Sequence, residues 1–162
     1  MAGIPEFWRT EVFHPLSVHF PVALLLAAFV FKLISLISKN YVWVKGGSVL
    51  LIAGTVAAWL SVYTGNLADG AVSRTICDPT VLKDHENAAY TVAWLFSAAT
   101  VLDLLNISNR LSFNKTIQNI AVILLLAVGS AYLVYTGHSG ATLVYQQGAG
   151  VYKPSPDCAE FN

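Results

Sequence analysis

Four histidines are the side chains in this sequence best suited to chemistry: His14, His19, His85 and His138. Imidazole is a versatile metal ligand and the one side chain whose ordinary pKa lies near neutrality. Two imidazoles from different helices can take the two axial positions of a heme iron, because helix bundles build cofactor sites from facing helices. His14 and His19 are five residues apart, about 140° around a helix. They do not share a face, so they are expected to serve different partners rather than chelate one small ion. His19 and His85 are the candidate metal ligands, and all four histidines are candidates for cofactor binding. No C-x-x-C-H occurs, so covalent c-type heme attachment is excluded. No P-loop, Rossmann glycine pattern or H-E-x-x-H is present either.

The elements that must position these residues are apolar. The chain has 162 residues, 56% hydrophobic and 11% charged, against about 25% charged in an ordinary soluble domain. Its mean hydropathy is +0.61. Four runs, 16–37, 44–63, 88–107 and 117–135, approach the ~20 residues that cross a bilayer as a helix. They lack the polar residue every third or fourth position that a soluble bundle would show. The expectation is an all-α integral membrane four-helix bundle, one domain over residues 1–162. An outer loop is expected at 66–86 and an outer tail at 138–162. Pro21 is expected in the first turns of its helix, where proline is tolerated. Trp59, Trp94, Tyr63, Tyr90 and Tyr135 suit membrane interfaces and are also candidates to flank a porphyrin.

Orientation follows from charge. The two short loops carry Lys39, Lys45, Arg110 and Lys115 and no acid, which favours the cytoplasm. Both termini then lie on the outer side of the membrane. No basic, short-cored leader precedes the first run, and no cleaved signal peptide is expected. Phe7, Trp8, Val12 and Phe13 form an interfacial segment instead. In this topology Cys77 and Cys158 share the outer side, where disulfides persist, and a Cys77–Cys158 bridge is expected.

The chain also resembles itself. A shift of 71 residues places His14 on His85, Lys32 on Asp103 and Lys39 on Arg110. One extra loop residue brings VYTG at 62–65 onto VYTG at 134–137. Two hairpins that both start and end outside would form a parallel internal repeat. Gly65 and Gly137 then read as matched helix stops, with His138 just beyond the second. Lys32 and Asp103 lie 18 residues from their matched histidines, about 27 Å along a helix. They are expected near the cytoplasmic face in a structural role, pairing across the bundle or snorkelling.

The stretches HPLSVHFPVALL at 14–25 and TGHSGATLVYQQGAGV at 136–151, with the histidine at 85, resemble the domain of unknown function 2231 family of small bacterial four-helix membrane proteins. The resemblance covers essentially the whole chain. It matches His14 and His19 to the family's opening motif. Many relatives carry a histidine near the position of Gln147, which this sequence lacks. Some relatives are joined to cytochrome c-like modules, which implies respiratory electron transfer. The leading expectation is a heme b-binding membrane subunit that passes electrons near the outer face, in respiratory or photosynthetic-type electron transfer. Its partners would be a quinone pool, an external cytochrome c or a larger membrane complex, and not nucleic acid. An accessory subunit is favoured over a stand-alone enzyme. Two alternatives stay open: a non-redox structural or assembly subunit with interfacial histidines, and a copper- or zinc-binding membrane protein.

Overall fold

The computed structural model describes residues 8–38, 40–110, 112, 114–152 and 156. They form four long helices: α1 (Thr10–Ile37), α2 (Tyr41–Val72), α3 (Pro79–Ile107) and α4 (Lys115–Tyr145). All four are long and apolar enough to cross a membrane. Each starts where its sequence provides a start. Glu11 lies in the first turn of α1 and complements the helix dipole. Asn40, Asp78 and Asn114 cap α2, α3 and α4, accepting from the amides of Val42, Thr80 and Thr116. Pro79 occupies the first position of α3, where its missing N–H costs nothing. Hydrogen bonds from the Thr80 hydroxyl and amide hold the exposed Asp78 carboxyl below its ordinary pKa. Beyond the end of α3 at Ile107, Asn109, with a φ of 54°, turns the chain so that the Arg110 amide reaches back to the Leu105 carbonyl.

The helices outrun the apolar segments on one side. α2 continues through Gly65 to Val72, α3 already begins at Pro79, and α4 continues through Gly137 to Tyr145. Gly65 and Gly137 are therefore not helix stops. The stop after α4 is made by Gly148, whose φ of 69° lets the Ala149 amide bond back to the Leu143 carbonyl. The physical reason is that an apolar run ends where the hydrocarbon ends, whereas a helix continues as long as its backbone bonds and packing allow. At 1.5 Å per residue, the 32 residues of α2 span about 48 Å, well beyond a ~30 Å hydrocarbon core. The expected loop at 66–86 shrinks to residues 73–78, and the first part of the expected tail is helical. The projecting ends pack on one another through Ala68, Val72, Ile76 and Leu143. Pro21, too, is buried in the helix interior rather than in its first turns.

α1 packs on α2 and α3 on α4, and the α2·α3 and α1·α4 contacts close the ring. Among the described residues the diagonal backbones, α1 with α3 and α2 with α4, do not touch. Side chains fill the middle: Leu25, Ala28, Leu51, Phe96, Ala99 and Leu126 are wholly buried. Glycines admit the large ones. Leu25 of α1 lies against Gly54 of α2, and Phe96 of α3 lies against Gly129 of α4. The same contact recurs nearer one end, where His14 lies against Gly65 and His85 against Gly140. Partners on α1 and α3 stand 71 residues apart in both cases, and the glycines 75 apart. The counterpart of Gly65 in these contacts is thus Gly140, and the two VYTG segments are not matched.

Candidate functional site

Two pairs of titratable side chains meet across the α1–α3 diagonal, one at each end of the bundle. At one end the His14 and His85 rings lie 6.0 Å apart, centre to centre, with planes at 81°. At the other, Lys32 Nζ stands 2.5 Å from Asp103 Oδ1, with both side chains buried. The 18 residues separating the members of each helix lead through the apolar centre described above.

Each imidazole is held by the helix beside it. His14 Nδ1 donates to the Ser61 carbonyl at 2.9 Å, and His85 Nδ1 donates to the Thr136 carbonyl at 3.1 Å. A carbonyl cannot donate, so Nδ1 carries the proton in each ring and Nε2 keeps its lone pair. Neither Nε2 makes a hydrogen bond among the described residues. Hydroxyls complete both settings. Thr64 Oγ1 donates to the Ser61 carbonyl at 3.0 Å and bonds Ser17 Oγ at 2.8 Å. Ser139 Oγ donates to the Thr136 carbonyl at 2.9 Å and lies 3.0 Å from His85 Nδ1.

Glycine explains how an imidazole reaches a helix carbonyl at all. The carbonyl of residue i lies beside residue i+4, whose side chain normally screens it. Here residue i+4 is Gly65 for Ser61 and Gly140 for Thr136. A Cβ there would approach His14 Cε1 to 3.2 Å and His85 Cε1 to 3.1 Å. The sequence signal for the site is thus a hydroxyl residue, two others, a second hydroxyl residue and glycine: SVYTG at 61–65 and TGHSG at 136–140. The repeated VYTG string drew attention to the right helices in the wrong register.

The other histidines are not part of this pair. His19 is exposed on α1, and His138 is exposed on α4 rather than in a tail. The candidate ligand pair His19 and His85 is therefore not brought together; His14 takes the place opposite His85. The aromatic residues considered as porphyrin neighbours largely face outward. Trp94, Tyr63 and Tyr135 are more than half exposed, while Trp59 meets Trp94 and Tyr90 edge to face and donates to Ser97 Oγ. Among the described residues no three His, Cys, Asp or Glu side chains gather as a metal cluster. Cys77 is exposed between α2 and α3, and Cys158 lies outside the described residues.

The lysine end is a structural ion pair of the kind expected. Lys32 Nζ also donates to Ser48 Oγ at 2.8 Å, and its stem lies against Gly47. Ser48 and the neighbouring Asn106–Asn119 hydrogen bond were not apparent from sequence, because single polar residues in apolar runs carry no periodic signal.

These features define a polytopic helical membrane protein with an anchored histidine pair at one end. Residues 11–153 match the family described as predicted membrane protein (DUF2231), and the chain belongs to that family. No curated protein and no solved structure gives a significant match.

Proposed function

We propose that the histidine end binds heme b, whose iron His14 and His85 would hold, and that the protein is an electron-transfer subunit of a bacterial inner membrane. The observation that carries this reading is the paired anchoring of two imidazoles across the bundle, each donating Nδ1–H to a backbone carbonyl. That arrangement orients a metal-ligating histidine and leaves Nε2 for the metal. The two rings stand 6.0 Å apart, centre to centre, and each keeps an Nε2 lone pair that could ligate a metal. The donor set also favours heme over a bare ion. Structural zinc takes four protein ligands and catalytic zinc three, whereas heme iron asks the protein for two.

In this reading the chain's own residues do the positioning. The Ser61 and Thr136 carbonyls set the tautomer and ring plane, and Gly65 and Gly140 admit the rings. Bound heme would supply a one-electron redox couple, and the apolar centre around Leu25 and Phe96 would keep that couple at one end of the bundle. The natural partners are a quinone pool, an external cytochrome c or a larger membrane complex. The histidine end is assigned to the outer side, both termini with it, because the opposite loops are basic and free of acids. The recurring contacts support a parallel internal repeat of the two hairpins, and Cys77 is assigned a bridge to Cys158.

The test is the visible spectrum of the protein purified with heme available during expression. A Soret band that shifts on reduction is expected, lost in His14→Ala and His85→Ala and kept in His19→Ala and His138→Ala. A colourless, folded wild type would instead favour a structural subunit. Heme retained in both His14→Ala and His85→Ala would reject this ligand pair.

A further inference from the structure

We propose that the lysine end of the bundle holds a second site, a blind vestibule that binds a phosphate-type anion. A cavity of about 330 Å³ opens there, lined from all four helices, with Lys32, Lys45, Lys115, Asp103, Asn106 and Asn119 supplying its polar surface. Its floor is the buried Lys32–Asp103 pair. Beyond the floor stand Leu25, Ala28, Leu51, Phe96 and Leu126, all wholly buried. Ionisable residues inside a membrane often mark an ion path, but this one is stopped by a plug of wholly buried apolar side chains. The geometry points to binding, not passage.

Charge names the ligand class. Three ammonium groups face one carboxylate in the vestibule, and Asp103 is already committed to Lys32. Each ammonium has three donors. Lys32 uses donors on Asp103 and Ser48, and Lys115 bonds the carbonyl and side-chain oxygens of Asn106. Lys45 stands 5.8 Å from the centre of the Tyr41 ring and forms no salt bridge among the described residues. Donors with a surplus of positive charge therefore converge on a cavity with room for a phosphate group together with water or the rest of a headgroup.

The whole chain reinforces the field. Its net charge of zero conceals a separation. Among the described residues Lys32, Lys45, Arg110 and Lys115 stand against Asp103 alone at this end, a formal +3, while Arg9, Arg74 and Lys83 stand against Glu11, Asp69, Asp78, Asp84 and Glu86 at the other, a formal −2. A phosphate group suits such a cluster, whether free in solution or carried on an anionic phospholipid.

The inference is independent of heme, and its experiment uses no heme signal. The melting midpoint of the full-length protein in neutral detergent is followed against two probes. One is inorganic phosphate, with chloride at matched ionic strength as control. The other is short-chain phosphatidylglycerol, with phosphatidylcholine as control. A concentration-dependent rise is expected, with apparent affinity about tenfold weaker in Lys45→Gln, the loss of one charge-assisted contact. Arg74→Gln, a loss of positive charge at the opposite end, should leave the response unchanged. Response to both probes shows that the phosphate group itself is recognised. Response to phosphatidylglycerol alone shows that the occupant is a lipid headgroup. No rise above the controls with either probe overturns the proposal, as does an unchanged response in both Lys45→Gln and Lys115→Gln.

Discussion

At the scale of single residues, the two ends of the bundle make opposite demands. The histidine end depends on absence: Gly65 and Gly140 leave open the carbonyls that hold the rings. Gly140→Val should push the His85 ring off the Thr136 carbonyl and lower occupancy by the proposed heme, read as the Soret absorbance per protein. Unchanged occupancy would mean that the carbonyl contact does not position the ring. The lysine end depends on complementarity. Removing one member of a buried ion pair leaves an uncompensated charge, a cost of about 3–5 kcal/mol, whereas replacing both with apolar residues is often neutral or better. Lys32→Met and Asp103→Leu should each destabilise strongly, and the double variant should recover most of the loss, in unfolding measured by denaturant titration in detergent micelles. Equal losses in single and double variants would show that the pair acts separately. That Lys32 and Asp103 could pair was readable from their opposite charges and matched depth, although snorkelling stayed open until the structure showed the ion pair. That His14, not His19, would face His85 was not, because which face of α1 turns inward is set by its packing on α2 and α4.

At the scale of elements, the glycines separate into packing and bystander positions. A Cβ on Gly54 would lie 2.6 Å from Leu25 Cδ2 and 3.2 Å from Leu24 Cβ, while one on Gly137 meets nothing within 4 Å. Gly54→Ala should therefore cost about 1–3 kcal/mol through overpacking. Gly137→Ala should be neutral or stabilise by up to about 1 kcal/mol, since alanine is the better helix former. Thermal unfolding of the two variants in one detergent checks both signs. A large destabilisation in Gly137→Ala would restore that glycine as a helix stop. The apolar runs located all four helices and their short loops, because hydrophobic length is a direct property of sequence. They missed the projecting turns of α2, α3 and α4, which are held by contacts among Ala68, Val72, Ile76, Val81, Leu82 and Leu143 that no single run contains.

At the scale of the whole molecule, the histidine pair, the small core formed by the projecting ends, and Cys77 all lie at one end, and the lysine pair and its vestibule at the other. Cys77 reports on the proposed orientation and on its proposed bridge to Cys158 together. A membrane-impermeant maleimide added to intact spheroplasts should label Cys77 in a Cys158→Ser variant without reduction, and in the wild type only after mild reduction. Labelling of the unreduced wild type would rule out the bridge while leaving the orientation intact. Labelling of the variant only after the membrane is opened would reverse the orientation.

The sequence by itself determined that this is a membrane-spanning helical bundle, with polar chemistry confined to a few positions along four apolar runs. Bilayer thickness imposes a length on each span, and that length is visible residue by residue. It also determined that His14 and His85, and Lys32 and Asp103, occupy matching depths, since position along a helix follows from counting. Only the tertiary structure decided which of these residues meet. Rotation of a helix about its axis is set by close packing, here by the large side chains seated on Gly54, Gly65, Gly129 and Gly140. A rotation of one residue, about 100°, would carry His14 out of the bundle and bring a different neighbour in.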